Sequence, residues 1–165
     1  MIVLPVTGIV VFALIYSITH RGEIRFEGGG LAGLIPVVVF PLVLVLLPVH
    51  EWIHGLAMRR FGASPSYGAM MLYGMVPCFY CTSPGHRFTR SQFAVVSAAP
   101  LLAISLVGGL CVALVPYGGW LVLPLGFHLG GCVGDLWFLG IIAIQPRGTL
   151  LEDTMTGVRL HRPVL

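Results

Sequence analysis

From Leu31 to Val49 the chain runs nineteen residues without one charged or hydrogen-bonding side chain, then meets His50, Glu51 and His54 with no break. About 20 such residues are what a helix needs to cross the hydrocarbon of a bilayer. The rest of the chain is of the same kind: 57% hydrophobic, only 9% charged, with a mean hydropathy of +0.97. Those values lie far outside the range of soluble domains. The expected fold is an all-α integral membrane protein of about four transmembrane helices, at roughly residues 1–19, 31–60, 93–115 and 120–145. A tail over 146–165 completes a single membrane domain. The first segment lacks a basic start and an A-x-A-like cleavage site, so it reads as a retained helix rather than a signal peptide.

Short loops rich in arginine stay in the cytoplasm. With four crossings, Arg59, Arg60, Arg87, Arg90, Arg147, Arg159 and Arg162 fall on one side. The other side holds Arg21 and Arg25, interleaved with Glu23 and Glu27 near His20, and a Pro-Tyr-Gly-Gly turn after Val115. Both termini are therefore expected in the cytoplasm and the protein in the plasma membrane, with lipid as a partner and no nucleic acid. Between Phe61 and Arg90 the chain mixes Gly and Pro with Tyr, Met and Phe, too broken for a spanning helix and too apolar for a solvated loop. A re-entrant segment or short β-hairpin between helices 2 and 3 is expected. Pro36, Pro41 and Pro48 punctuate the second helix and can bend it.

His50-Glu51-Trp52-Ile53-His54 is H-E-x-x-H. On a helix of about 3.6 residues per turn the two histidines point within about 40° of each other, so both imidazoles can grip one ion. Glu51 falls about 60° to the far side of His54, beside the metal, where a carboxylate can take a proton from water. A five-residue pattern with three fixed positions also arises by chance, and helix ends carry His and Glu. Location decides between the two: counted back from Arg59 at about 1.5 Å per residue, His54 and His50 lie roughly 8 and 14 Å inside the boundary. Ionisable groups at such depth mark function.

A catalytic zinc site needs a third protein ligand and an open position. Asp135, the one acid of the last hydrophobic segment, lies at a depth similar to that of His50 and is the candidate; its plainer reading is a buried aspartate paired with an arginine or a backbone group. Glu152 and Asp153, in a polar tail, read as a solvated turn, and either can replace Asp135 if the tail folds back. His128, seven residues before Asp135, reads as a second-shell partner, an oxyanion stabiliser, or simply a packed polar residue. Gly126, Gly130 and Gly134 form a small-xxx-small ridge suited to helix packing. Of the four cysteines, Cys111 and Cys132 lie in predicted helices, and Cys78-x-x-Cys81 is half of a metal site, a redox pair, or nothing.

H50-E-W-I-H54 at a helix end, Ser97-Ala98-Ala99-Pro100 at the start of the next helix and Asp135 in the one after resemble the three-helix core of site-2-type intramembrane zinc metalloproteases. The chain is similar, over about residues 40 to 160, to a family of small multi-pass zincin peptidases of bacteria and archaea, whose tail resembles Glu152-Asp-Thr-Met-Thr-Gly157. It departs from the better-known site-2 pattern in having Leu136 after Asp135 and Ala99 before Pro100, so the ligands carry over better than the substrate-positioning groups. The resemblance implies Zn²⁺ held by His50, His54 and Asp135, with Glu51 activating water against a transmembrane or membrane-adjacent peptide. The rival readings are a non-catalytic metal carrier or sensor using the same ligands, and a structural partner protein with a degenerate site.

Overall fold

The computed structural model describes residues 2–21, 35–72, 76–155 and 157–163. The expected start of the second helix at 31, and the loop charges Glu23, Arg25 and Glu27, lie outside these residues. The described chain is mostly helical but carries two small sheets, so the all-α expectation is corrected. Contacts divide it into two compact units, residues 1–46 with 101–133 and residues 47–100 with 134–165.

Among the described residues, three helices are long and apolar enough to cross a membrane: Val37–Arg60, Arg90–Leu114 and the broken helix Gly118–Ile144. Their outer faces carry large apolar side chains, including Leu106 at 67% and Trp137 at 71% exposure, an arrangement that suits hydrocarbon and not water. The first helix, α1 (Val3–Thr19), is also apolar but only 17 residues long.

In the first unit α1 packs along α4 (Val122–Gly131). The ridge of small residues explains how close they come. A Cβ added at Gly126 would fall 2.9 Å from the backbone nitrogen of Ile9, and one at Gly130 would press into Pro5. Gly134 has nothing within 4 Å of such a Cβ, so only two of the three glycines serve this packing. The single last helix expected over 120–145 is interrupted. A 3₁₀ turn (Gly118–Leu121) leads into α4, α4 ends at Gly131, and α5 (Val133–Ile144) begins after Cys132. Gly130 and Gly131, poor helix formers, precede the break. The Cys132 N–H still donates to the His128 carbonyl at 3.1 Å, while its ψ of 6° leaves the helical range.

The second unit is built from both helix and sheet. Helix α2 (Ile35–Arg60) runs on through Pro41 and Pro48 and ends in a Schellman motif. Ala63 N–H reaches the Met58 carbonyl, Gly62 N–H reaches that of Arg59, and Gly62 supplies the positive φ of 81° that the motif requires. The segment that follows folds as β1 (Ser66–Leu72) paired antiparallel with β2 (Val76–Thr82), Tyr67 standing opposite Cys81 and Gly68 opposite Tyr80. A short β3 (Phe88–Thr89) leads into α3 (Arg90–Leu114). The start of α3 is a capping box: Gln92 N–H donates to Thr89 Oγ1 and Thr89 N–H to Gln92 Oε1.

The tail is a second correction. Instead of a solvated turn it forms β4 (Leu150–Thr154) and β5 (Gly157–His161), which extend β3 into a three-stranded sheet. Leu151 is buried with Phe88, Phe93, Val96, Met58 and Ile142 in the core of this unit. That burial outweighs the polarity of the neighbouring residues. Glu152 is drawn in with it and accepts from the Gly85 N–H at 2.9 Å and pairs with His161 at 3.0 Å. These partners, the Gly85 N–H first, hold its carboxyl below the ordinary carboxylate range.

Replacing Gly126 with leucine forces apolar volume against the α1 backbone and is expected to cost about 1–3 kcal/mol, read as a lowered midpoint of thermal unfolding in detergent. Gly140→Ala, in α5 where a Cβ meets nothing within 4 Å, is expected to be neutral or to raise the midpoint slightly.

Candidate metal centre

His50 and His54 lie one turn apart on α2, their ring centroids 4.8 Å apart and nearly perpendicular. Asp135, in the first turn of α5, meets both: Oδ2 lies 3.1 Å from His50 Nε2 and Oδ1 3.2 Å from His54 Nε2. The two Nε2 atoms are 3.1 Å apart. All three residues belong to the second unit.

The proton positions follow from the surroundings. His54 Nδ1 lies 2.9 Å from the Val96 carbonyl, which can only accept, so Nδ1 carries the proton. A neutral His54 therefore turns the lone pair of Nε2 toward the cluster, where a carboxylate oxygen already faces it. Two lone pairs at that distance repel unless a cation sits between them or the ring takes a second proton.

Why Val96 has a carbonyl to offer is written in α3. In a helix that carbonyl would accept from the N–H four residues on. Residue 100 is proline, placed inside the helix, and has no N–H. The imidazole takes the place of the missing donor.

Three observations bear on whether a metal fits. The donors are two imidazole nitrogens and one carboxylate, a set suited to zinc. Their separations of 3.1–3.2 Å approach the edge, about 3.3 Å, of a tetrahedron with metal–ligand distances of about 2.0 Å. Asp135 Oδ2 is buried and makes no hydrogen bond of acceptable geometry, the approach of His50 notwithstanding. The residues fit the ion. A family model described as "Putative zincin peptidase" matches residues 43–150, a span that holds His50, Glu51, His54 and Asp135. The chain belongs to that family. Membership implies a zinc metallopeptidase. No curated protein and no solved structure matches the chain.

Around the centre of this zincin is a cavity of about 260 Å³. Its helical side includes Glu51, His54 and Asp135; Tyr80, Cys81 and Thr82 of β2 form one strand wall, and Asp153 and Thr154 of β4 another. The sequence leaves Asp153 as part of a solvated turn or as a substitute ligand, and it is neither. It is Asp135 that meets the histidines, and Asp153 instead adds a second carboxylate beside Glu51 in the cavity. Burial pushes Asp153 up to about 7, with His54 pulling against the rise and Glu51 adding to it. Glu152, its neighbour, points to Gly85 and His161 as strand alternation requires.

His128 belongs to α4 in the first unit, where its Nε2 lies 3.7 Å from Cys132 Sγ. Cys78 and Cys81 are both reduced. Three residues apart on a strand, they face opposite sides of the sheet and form no pair. The Cys81 thiol is buried and contacts Met58 Sδ at 3.9 Å; burial first, then the nearby Glu51 and Asp153, push it up to about 12.

A thiol so shifted carries almost no thiolate at pH 8, so Cys81 is expected to resist iodoacetamide in the folded protein and to react fully in denaturant, as peptide mass mapping will show. Pro100→Ala restores an N–H that competes for the Val96 carbonyl. Zinc affinity is expected to fall about ten- to a hundredfold, although the substitution favours the helix. A zinc titration beside a thermal melt separates the two effects, and unchanged affinity would remove Pro100 from the account.

Proposed function

We propose that this chain is an intramembrane zinc metalloprotease in which His50, His54 and Asp135 hold Zn²⁺ and Glu51 is the general base. The observation that carries the reading is the His54 Nε2 lone pair, aimed by the Val96 carbonyl at the Asp135 carboxylate 3.2 Å away. Zinc in such a donor set supplies a Lewis acid that polarises a peptide carbonyl and lowers the pKa of water.

The chain's own groups do the rest. Glu51, on the same helical turn as His50, takes a proton from water as the oxygen attacks the carbonyl carbon, and returns it to the departing amine as the C–N bond breaks. A helical substrate hides its carbonyls, so it must unwind to be cut. Among the described residues β2 pairs only with β1, and its other edge offers an extended peptide a strand to pair with at the cavity wall. Substrates are transmembrane or membrane-adjacent peptides, because the ligands lie within the apolar helices. The arginine-rich loop over 57–92 and both termini lie in the cytoplasm, by the excess of positive charge on that side, and the site opens toward it.

Glu51→Gln is expected to keep bound zinc, by metal analysis of the purified protein, and to lower cleavage of a fluorogenic peptide by about 10²–10⁴-fold. Asp135→Asn is expected to lose the metal and with it the activity. Zinc retained in Asp135→Asn would sink the ligand assignment. Full cleavage by Glu51→Gln would remove the base, and zinc flux into proteoliposomes without cleavage would favour a carrier.

A further inference from the structure

A second cavity, of about 570 Å³, lies in the same unit where α3 begins and α5 ends. It plays no part in the chemistry above. Its polar lining consists of Thr89, Arg90 and Ser91 at the start of α3, and Arg147, Gly148 and Thr149 just after α5. Two of these are arginines, and no acid lines the cavity. The first turn of α3, a 25-residue helix, adds the partial positive charge of its N-terminus.

Arg90 is held in place. Its Nε donates to the Ile142 carbonyl and a terminal nitrogen to that of Ala143, so its charge is fixed across the gap between α3 and the end of α5. Arg147 is exposed on the rim. The second, independent observation is Thr149. The residue is only 1% exposed, it lines the cavity, and its Oγ1 has no hydrogen-bond partner. A hydroxyl buried without a partner is destabilising, and an acceptor reached from the cavity would remove that cost.

We infer that this cavity binds a phosphate group. A tetrahedral oxyanion suits two guanidinium groups, a helix N-terminus and an unpaired hydroxyl donor together. The remainder of the lining, Ala94, Leu139, Ile142, Ala143 and Leu150, is apolar, and most of it continues along α3 and α5, each part of a segment long enough to span a membrane. The phosphate can therefore come from an anionic phospholipid at the helix ends or from a soluble phosphate compound.

The purified full chain distinguishes them. In neutral detergent, inorganic phosphate is titrated by calorimetry. In nanodiscs of mixed phosphatidylglycerol and phosphatidylcholine, native mass spectrometry counts which lipid is retained. Thr149→Val, which keeps the shape and removes the hydroxyl, and Arg147→Gln are expected to weaken binding about tenfold or more, with a thermal melt no lower than the parent's and unchanged zinc content. Selective retention of phosphatidylglycerol that both variants abolish identifies the lipid as source. Phosphate binding with the same sensitivity, and no lipid selectivity, identifies a soluble ligand. The inference is overturned if neither probe binds, or if binding is indifferent to Thr149→Val in a protein that folds as the parent does.

Discussion

His54 can turn a bare nitrogen toward Asp135 because Val96 holds the proton on its other nitrogen. That acceptor exists because Pro100 leaves the Val96 carbonyl without a helical partner. The bond links α2 to α3 inside the unit that carries the cluster. Without it His54 would be free to change tautomer, and a ring with its proton on Nε2 would donate to Asp135 and close the cluster as an ordinary histidine–aspartate pair. With it, the same side chains make a cation trap. The orientation of one imidazole is what separates a structural contact from a metal centre, and it is set by a residue with no polar atom in its side chain.

The carboxylate side of the trap has its own support. Asp135 sits in the first turn of α5, where the helix dipole favours negative charge. That turn exists only because the helix is interrupted at Cys132. The break sets the positive end of a helix dipole beside an acid that an unbroken helix would have carried in its interior.

The elements legible in the sequence were those whose side chains carry the pattern. The H-E-x-x-H spacing needs only helical periodicity, and Asp135 stands out as the lone acid in its apolar run. The sheets were less legible. Leu150-Leu151-Glu152-Asp153 has too few residues for a strand pattern to rise above a turn, and it is the burial of Leu151 against Phe88 and Phe93 that draws it into place. The helix break was written only as Gly130-Gly131, which also reads as a packing ridge. Hardest to see was Val96, whose contribution is a backbone oxygen. The signal was the proline four residues later, visible as a helix perturbation but silent about which side chain would use the freed carbonyl. The spacing of Cys78 and Cys81 left a metal half-site, a redox pair and no function all open, and the strand turns the two apart.

The strands also bear on how water reaches a centre built on helices of this apolarity. In lipid an unpaired backbone edge is not tolerated, because each orphaned N–H or C=O costs several kcal/mol; such an edge survives only against protein or a water-filled cavity. Among the described residues β2 has one partner, β1, and its Tyr80–Thr82 segment lines the cavity beside Glu51 and His54. At about 30 Å³ per molecule, the cavity's 260 Å³ is room for several waters. Water filling it would satisfy the strand edge, hydrate Asp153 and Glu51, and under the proposed function be the reactant for hydrolysis. The sheet thus does what a fourth helix at that wall could not. A helix satisfies its own backbone and would offer the cavity no such edge to hold water.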